Sequence, residues 1–344
     1  MPTKRQDDLR ARLRPLLELG PARHLCPGAA LAVVRREKPP LLLTAGNYTY
    51  DESAPTILED SLFDLASLTK VLVTTTLVAQ LWEQGRLDLD APLDFLPLRP
   101  SARHLLAHCS GFPATYPLWQ LPLGTDWLPL LKADNLPCTV TVYSDLNFLL
   151  LARAVIRLTG EPLDALAEKN IFRPLRLQDT CFCPPMAIRS RCVPTEIRTG
   201  HTEPTQGTVH DENAAWLGGV AGHAGLFSSL RDMVRYATCL LQGGAPLMSP
   251  DTLKLFTTRA CLVPGSSRCL GWDSPSANSS AGDRVASTAF GHTGFTGTSC
   301  WISPEQQTAV VLLTNVIYPC REAKGEAFFA WRRQIHNIVF GDKL

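Results

Sequence analysis

No run of this chain approaches the roughly 20 consecutive apolar residues that a bilayer-spanning helix needs. No stretch repeats at a fixed period, and none collapses into low-complexity sequence. Charge of one sign is also missing: 33 Lys and Arg stand against 32 Asp and Glu, a formal net charge of +1. That balance excludes the basic footprint of a nucleic-acid binder or of a protein held on anionic lipid. The C-x-x-C pairs of zinc modules, the H-E-x-x-H of zinc proteases and the G-x-S-x-G of α/β-hydrolases are absent as well. No secretory signal is recognised in this sequence either. Residues 1–20 carry Lys4, Arg5, Arg10, Arg12 and Arg14 among Asp7, Asp8 and Glu18, with no apolar core of roughly 7–15 residues. Their leucines at 9, 13, 16 and 17 fall on one helical stripe instead. With Met1 at the start, the expectation is a cytoplasmic protein without membrane insertion.

What is present is an ordinary globular composition, 45% hydrophobic and 19% charged over 344 residues, enough for a large core. The eleven cysteines are odd in number and irregular in spacing, and most sit beside apolar residues. Reduced, buried thiols are the expectation. Cys181, Cys183 and Cys192 offer part of a zinc set that no spaced histidine completes, and His104 and His108 lack the glutamate of a zinc-protease motif. No metal or cofactor is expected.

Strands are expected at 29–34 and 41–45, followed by a long central helix over 71–84 that is apolar on more than one face. Helices are expected at 102–108, 127–133, 147–158 and 163–170, and long ordered loops between 179 and 225. Ser229 to Asp232 reads as a capping box opening a helix to about Leu241. Strands return at 286–292, 298–302 and 308–313, and a helix over 322–339 closes the chain. Strands at both ends around a helical middle imply an α+β fold. An antiparallel sheet drawn from both termini is flanked by helices and interrupted by an inserted helical region. The chain reads as a single domain, with a sheet lobe at about 1–70 and 226–344 and a helical and loop lobe at about 71–225.

Three short motifs carry chemistry. In Phe63-Asp64-Leu65-Ala66-Ser67-Leu68-Thr69-Lys70, a serine and a lysine three apart share one face of a starting helix, close enough to exchange a proton. A serine hydroxyl is a weak nucleophile until a neighbouring base takes its proton. Tyr143-Ser144-Asp145 and His292-Thr293-Gly294 follow downstream. Free lysine and tyrosine titrate near ~10.4 and ~10, so Lys70 and Tyr143 are read as one coupled pair, with the base unassigned between them.

In these motifs, and in Leu105-Leu106-Ala107-His108-Cys109-Ser110-Gly111, the chain resembles the penicillin-recognising serine hydrolases. These include class C β-lactamases, DD-peptidases and related esterases and amidases, so the fold implied is β-lactamase/transpeptidase-like. The resemblance implies Ser67 as nucleophile, Lys70 and Tyr143 as general base and acid, and an oxyanion hole from the backbone N–H groups of Ser67 and Phe295. It implies roles for Asp145, Thr293 and Gly294 in substrate binding and for His292 at the catalytic strand. Two residues depart from the family pattern. Asp145 stands for the usual asparagine, and either pairs with Lys70 or caps the following helix. His292 stands for the usual lysine and, mostly neutral at pH 7, implies weak penicillin recognition and no mandatory substrate carboxylate at that position.

Gly207 to Ala214, Gly218 to Ser228 and Gly291 to Ser299 resemble one branch that contains exolytic N-acetylmuramoyl-L-alanine amidases. That branch implies an amide or ester bond in a muropeptide or similar small substrate, and wall recycling as the setting. His210 and Asp211 are candidates for sugar or peptide contacts at the pocket rim, the alternative being a loop that braces itself. A broad-specificity esterase, a weak β-lactamase or DD-peptidase, and an acylating sensor with little turnover are the other readings. The sequence does not set an oligomeric state.

Overall fold

The computed structural model describes residues 4–96 and 98–342; Met1, used above to read the N-terminus, lies outside the described residues. The strands are β1 (Gly28–Arg35), β2 (Leu41–Gly46), β3 (Phe63–Asp64), β4 (Cys181–Phe182), β5 (Leu226–Ser228), β6 (Phe290–Thr293), β7 (Ser299–Ser303) and β8 (Thr308–Thr314). Five of them make one antiparallel sheet in the order β2-β1-β8-β7-β6, so the two chain ends do meet side by side. A second, three-stranded sheet runs β3-β5-β4.

The large sheet is buried on both faces, which is why β1 and β8 read as nearly continuous apolar runs. Alternate residues serve opposite sides. Ala30, Ala32 and Val34 face the main core with Val311 and Leu313. Leu31 and Val33 face the other way with Val310 and Leu312, under Leu9, Leu13 and Leu17 of the N-terminal helix and Trp331, Ile335 and Val339 of the C-terminal one. Each fully buried Leu or Val of this kind contributes about 1.5–3 kcal/mol.

The central helix fits its expected all-round apolar character. It starts as a π-helical stretch, Lys70–Thr75, continues as Thr76–Glu83, and its residues from Lys70 to Ala79 are all buried. Three expectations are corrected. The 127–133 helix is a single 3-10 turn, Leu128–Leu130, because Pro129 removes a donor and the backbone turns extended at Leu131. The strand expected from 286 begins at Phe290, because Ala286 and Thr288 bond the side chains of Gln306 and Glu305 instead of a neighbouring strand. The last helix starts at Glu326, after a separate turn at Arg321–Ala323. At Ser229 the cap is half of a box: its hydroxyl accepts from Asp232 N–H, while the Asp232 carboxylate bonds Asp179 N–H and the Thr180 hydroxyl. Among the described residues, no helix is long and apolar enough to cross a membrane.

Candidate active site

Ser67 sits in a tight turn between β3 and the central helix. Ala66 takes a positive φ of 46°, and its N–H is held by the Asp64 side chain at 2.8 Å. From there 3-10 bonds carry the chain into the helix, ending with Lys70 N–H on the Ser67 carbonyl. The turn linking β6 to β7 is stapled to the same place. Thr296 and Thr298 donate their hydroxyls to the carbonyls of Asp64 and Leu65, at 2.7 and 3.1 Å. Gly294 lies against that junction, where a Cβ would press into the Thr298 hydroxyl and the Leu65 carbonyl. Neither the Ser67 nor the Phe295 backbone N–H has an acceptor within the described residues.

The Lys70 amine is completely buried and makes three contacts: Ser67 Oγ at 2.8 Å, the His223 carbonyl at 3.1 Å and Asp145 Oδ1 at 2.7 Å. An ammonium has three protons to donate, and Ser67, His223, Asp145 and Tyr143 compete for them. Burial opposes the charge, but Asp145 and Tyr143 outweigh it and hold Lys70 above its ordinary pKa. Asp145 therefore pairs with Lys70, and Ser144 occupies the helix cap. Next to the ion pair, Asp211 and His223 are bonded at 2.8 Å, with their ligand atoms and that of Asp145 within 4.8 Å of one another. That donor set would suit a cation, and the Lys70 ammonium already supplies one.

The Tyr143 ring centroid is 5.0 Å from Lys70 Nζ and 5.8 Å from the His292 ring. His108, in the Leu-Leu-x-His segment, explains how Tyr143 is set. Its ring packs on Tyr143 at 4.6 Å, and its Nδ1 accepts Ser144 N–H at 3.0 Å. His292 is buried on β6, with Nδ1 on the Thr293 carbonyl at 2.8 Å. Burial, then the charges of Arg268 and Lys70, push its pKa well below the usual histidine range.

Ser67, Tyr143, His292, Thr293, Gly294 and Phe295 all line one cavity of about 250 Å³. Arg268 and Lys324 line it too, and sequence reasoning missed both, since neither falls in a motif. Arg268 lies over the Tyr143 ring at 5.1 Å, and Lys324 over the Phe295 ring at 4.7 Å. Positive charge thus enters the pocket from these side chains rather than from position 292, and Asp273, which also lines it, pairs with Arg268 at 3.6 Å. His210 and Asp211, expected at the rim, stand behind it. His210 is buried, bonded to Glu196 at 2.8 Å and stacked under Phe295. Asp211 caps the helix Glu212–Trp216 through Ala214 N–H. Both side chains brace the loop, His210 through Glu196 and Asp211 through one carboxylate oxygen bonded to Ala214 N–H and His223.

A family model described as Beta-lactamase matches residues 9–333. An N-acetylmuramyl-L-alanine amidase of Bacillus subtilis strain 168 is 31% identical, covering 74% of this chain and 68% of the relative. A protein of Escherichia coli strain K12, provisionally named D-alanyl-D-alanine carboxypeptidase, is 32% identical over 74% of this chain and 69% of its own. Among solved structures, EstCE1, a hydrolase with promiscuous acyltransferase activity, superposes with a TM-score of 0.77 at 20% identity, covering 98% of this chain and 99% of that one. A beta-lactamase/D-alanine carboxypeptidase from Pseudomonas syringae gives 0.74 at 21% identity, covering 95% and 98%. The chain belongs to the beta-lactamase family of serine hydrolases.

Proposed function

We propose that this enzyme cleaves an amide or ester in a muropeptide-like small substrate through an acyl-enzyme on Ser67. The observation that carries the reading is the 2.8 Å contact from Lys70 Nζ to Ser67 Oγ beneath the Tyr143 ring. Held charged by Asp145 and Tyr143, Lys70 acts as a fixed ammonium, and Tyr143 acts as the proton carrier. Tyr143 takes the Ser67 proton as Oγ attacks the carbonyl. The oxygen that accepts this proton is a phenolate whose negative charge faces Lys70 and Arg268, and accepting it leaves a neutral phenol. The tetrahedral oxyanion is held by the free N–H groups of Ser67 and Phe295, donors worth roughly 3–4 kcal/mol each in such sites. Tyr143 returns the proton to the leaving group, and a water activated by the same oxygen releases the acyl group.

The substrate class rests on two supports. One relative is named as an amidase of N-acetylmuramyl-L-alanine. The cavity is small and carries Lys324 beside an Arg268–Asp273 pair, which suits a released fragment bearing a peptide carboxylate rather than an intact polymer. The test offers muropeptides, a chromogenic ester and a chromogenic cephalosporin to the enzyme and to Ser67→Ala. Peptide release by the unaltered enzyme, none by the variant and little cephalosporin turnover are expected. Equal turnover by Ser67→Ala overturns the mechanism, and cephalosporin turnover above muropeptide turnover overturns the substrate class.

A further inference from the structure

Past the helix Ala102–Leu106 the chain runs through His108 and Cys109, and it returns alongside them before the helix Asp145–Thr159. Backbone bonds tie the two passes together. Asp134 and Asn135 donate to the Gly111 carbonyl at 2.9 and 3.2 Å, Cys138 to the Cys109 carbonyl at 2.8 Å, and Val142 to the His108 carbonyl at 2.9 Å. Midway along this ladder the sulfurs of Cys109 and Cys138 stand 3.7 Å apart. Among the described residues no other pair of cysteines brings its sulfurs into contact.

We infer that Cys109 and Cys138 form a modification site, a dithiol that closes to a disulfide on reaction with a low-molecular-weight disulfide. The sulfurs need to approach to about 2.05 Å. The Cys138–Cys109 backbone bond already holds the main chains together, so closure asks for side-chain rotation. Cys109 is buried and Cys138 is partly exposed, which sets the order of events. Burial, helped by its neighbour, pushes the Cys109 thiol up to about 12, so Cys138 meets the reagent first.

The Cys138 thiolate attacks one sulfur of the reagent, making a mixed disulfide and expelling one thiolate. Cys109 then attacks the Cys138 sulfur, forming the internal bond and expelling the second. The two protein thiol protons end on the two released thiols. The protein loses two electrons, and the reagent gains them. The closed ring encloses residues 110–137 and is anchored one residue from His108, whose ring packs on Tyr143. Restricting that loop in the unfolded chain raises stability.

The experiment treats the full chain, reduced and then freed of reductant, with oxidised glutathione. Free thiols are alkylated and the digest is read by mass spectrometry. The expected result is a mass loss of about 2 Da, two fewer alkylated cysteines and a peptide linked through Cys109 and Cys138. The melting temperature is expected to rise, and Cys138→Ser removes each of these changes. Full alkylation of both cysteines in folded, treated protein overturns the inference. So does a glutathione adduct that stays on Cys138 without closure, or a cross-link through other cysteines.

Discussion

The Lys70 ammonium lies 2.7 Å from the Asp145 carboxylate and is wholly shielded from solvent, so the state of each group fixes that of the other. Replacing Asp145 by asparagine, the residue more usual in this family, keeps a hydrogen-bond acceptor and removes the charge. Burial then acts on Lys70 without its main opponent, and the lysine titrates lower than in the parent. Asp145→Asn is expected to lower kcat/KM at pH 7 by about 10- to 100-fold and to move the basic limb of the pH–rate profile downward. Asp145→Ala leaves an unpaired buried cation and is expected to cost about 3 kcal/mol in a urea melt. An unmoved profile in Asp145→Asn would show that the charge on Lys70 does not support the proton transfer through Tyr143.

Tyr143→Phe separates the proton carrier from the packing it provides. The ring contacts to His108 and His292 survive the change, and only the hydroxyl is lost. A fall in kcat of about 10²- to 10⁴-fold is expected, with the thermal midpoint almost unchanged. Retained burst-phase acylation at the parent rate would transfer the base role to Lys70.

Position 292 can be tested in the opposite direction, by restoring the lysine found in much of the family. His292 is 4% exposed and lies near two cations, Lys70 and Arg268. A lysine there has its folded pKa pushed below its unfolded value of ~10.4. The unfolded state then binds more protons between those values, so stability rises with pH across that window. His292→Lys is expected to be less stable than the parent by about 2–4 kcal/mol at pH 7, and the gap should narrow towards pH 10. Melting curves of both proteins at the two pH values decide it; a gap that widens contradicts the electrostatic account.

Gly294 is constrained by contact rather than by an unusual φ. Its missing side chain lets the β6 end lie against the Leu65 carbonyl, which is backbone and cannot rotate away. Gly294→Ala is expected to push Phe295 N–H away from Ser67 and to lower kcat by about 10²- to 10³-fold with KM little changed. Unaltered kcat would mean that this N–H takes no part in stabilising the oxyanion.

The five strands of the large sheet and the three motifs were legible because they rest on local signals: β-branched runs, a helix start and short spacings. The two- and three-residue strands of the second sheet are too short to show a pattern. The Lys70–Asp145 pair was one of two open readings, since both a cap and an ion pair suit an acidic residue at a helix start. Arg268 and Lys324 were not legible. Each reaches the cavity from a loop, and nothing local marks which of the many surface cations folds inward. His210 and Asp211 looked like rim residues because glycine-dense sequence suggests close backbone approach to something. In the structure, what comes close is the protein itself: Glu196, His223 and the Ala214 N–H.

Lys324 gives the most specific test of substrate charge. It lines the cavity, donates to the Phe295 carbonyl at 2.7 Å, and burial followed by repulsion from Arg332 lowers its pKa to about 8. At pH 7 it is mostly charged, and above about pH 8 it becomes neutral. A substrate that presents a carboxylate loses a charge-assisted contact across that interval, whereas a neutral ester loses nothing of the kind. KM for an acidic muropeptide is therefore expected to rise about 10-fold between pH 7 and pH 9, with KM for the neutral ester flat over the same range. Lys324→Met should show the high KM for the acidic substrate already at pH 7 and lose the pH dependence. Because the lysine also holds the Phe295 carbonyl, a general loosening of the oxyanion donor would lower kcat on both substrates alike. The split between KM on one substrate and kcat on both separates the two roles, and an equal loss on both would show that Lys324 positions Phe295 and does not read substrate charge.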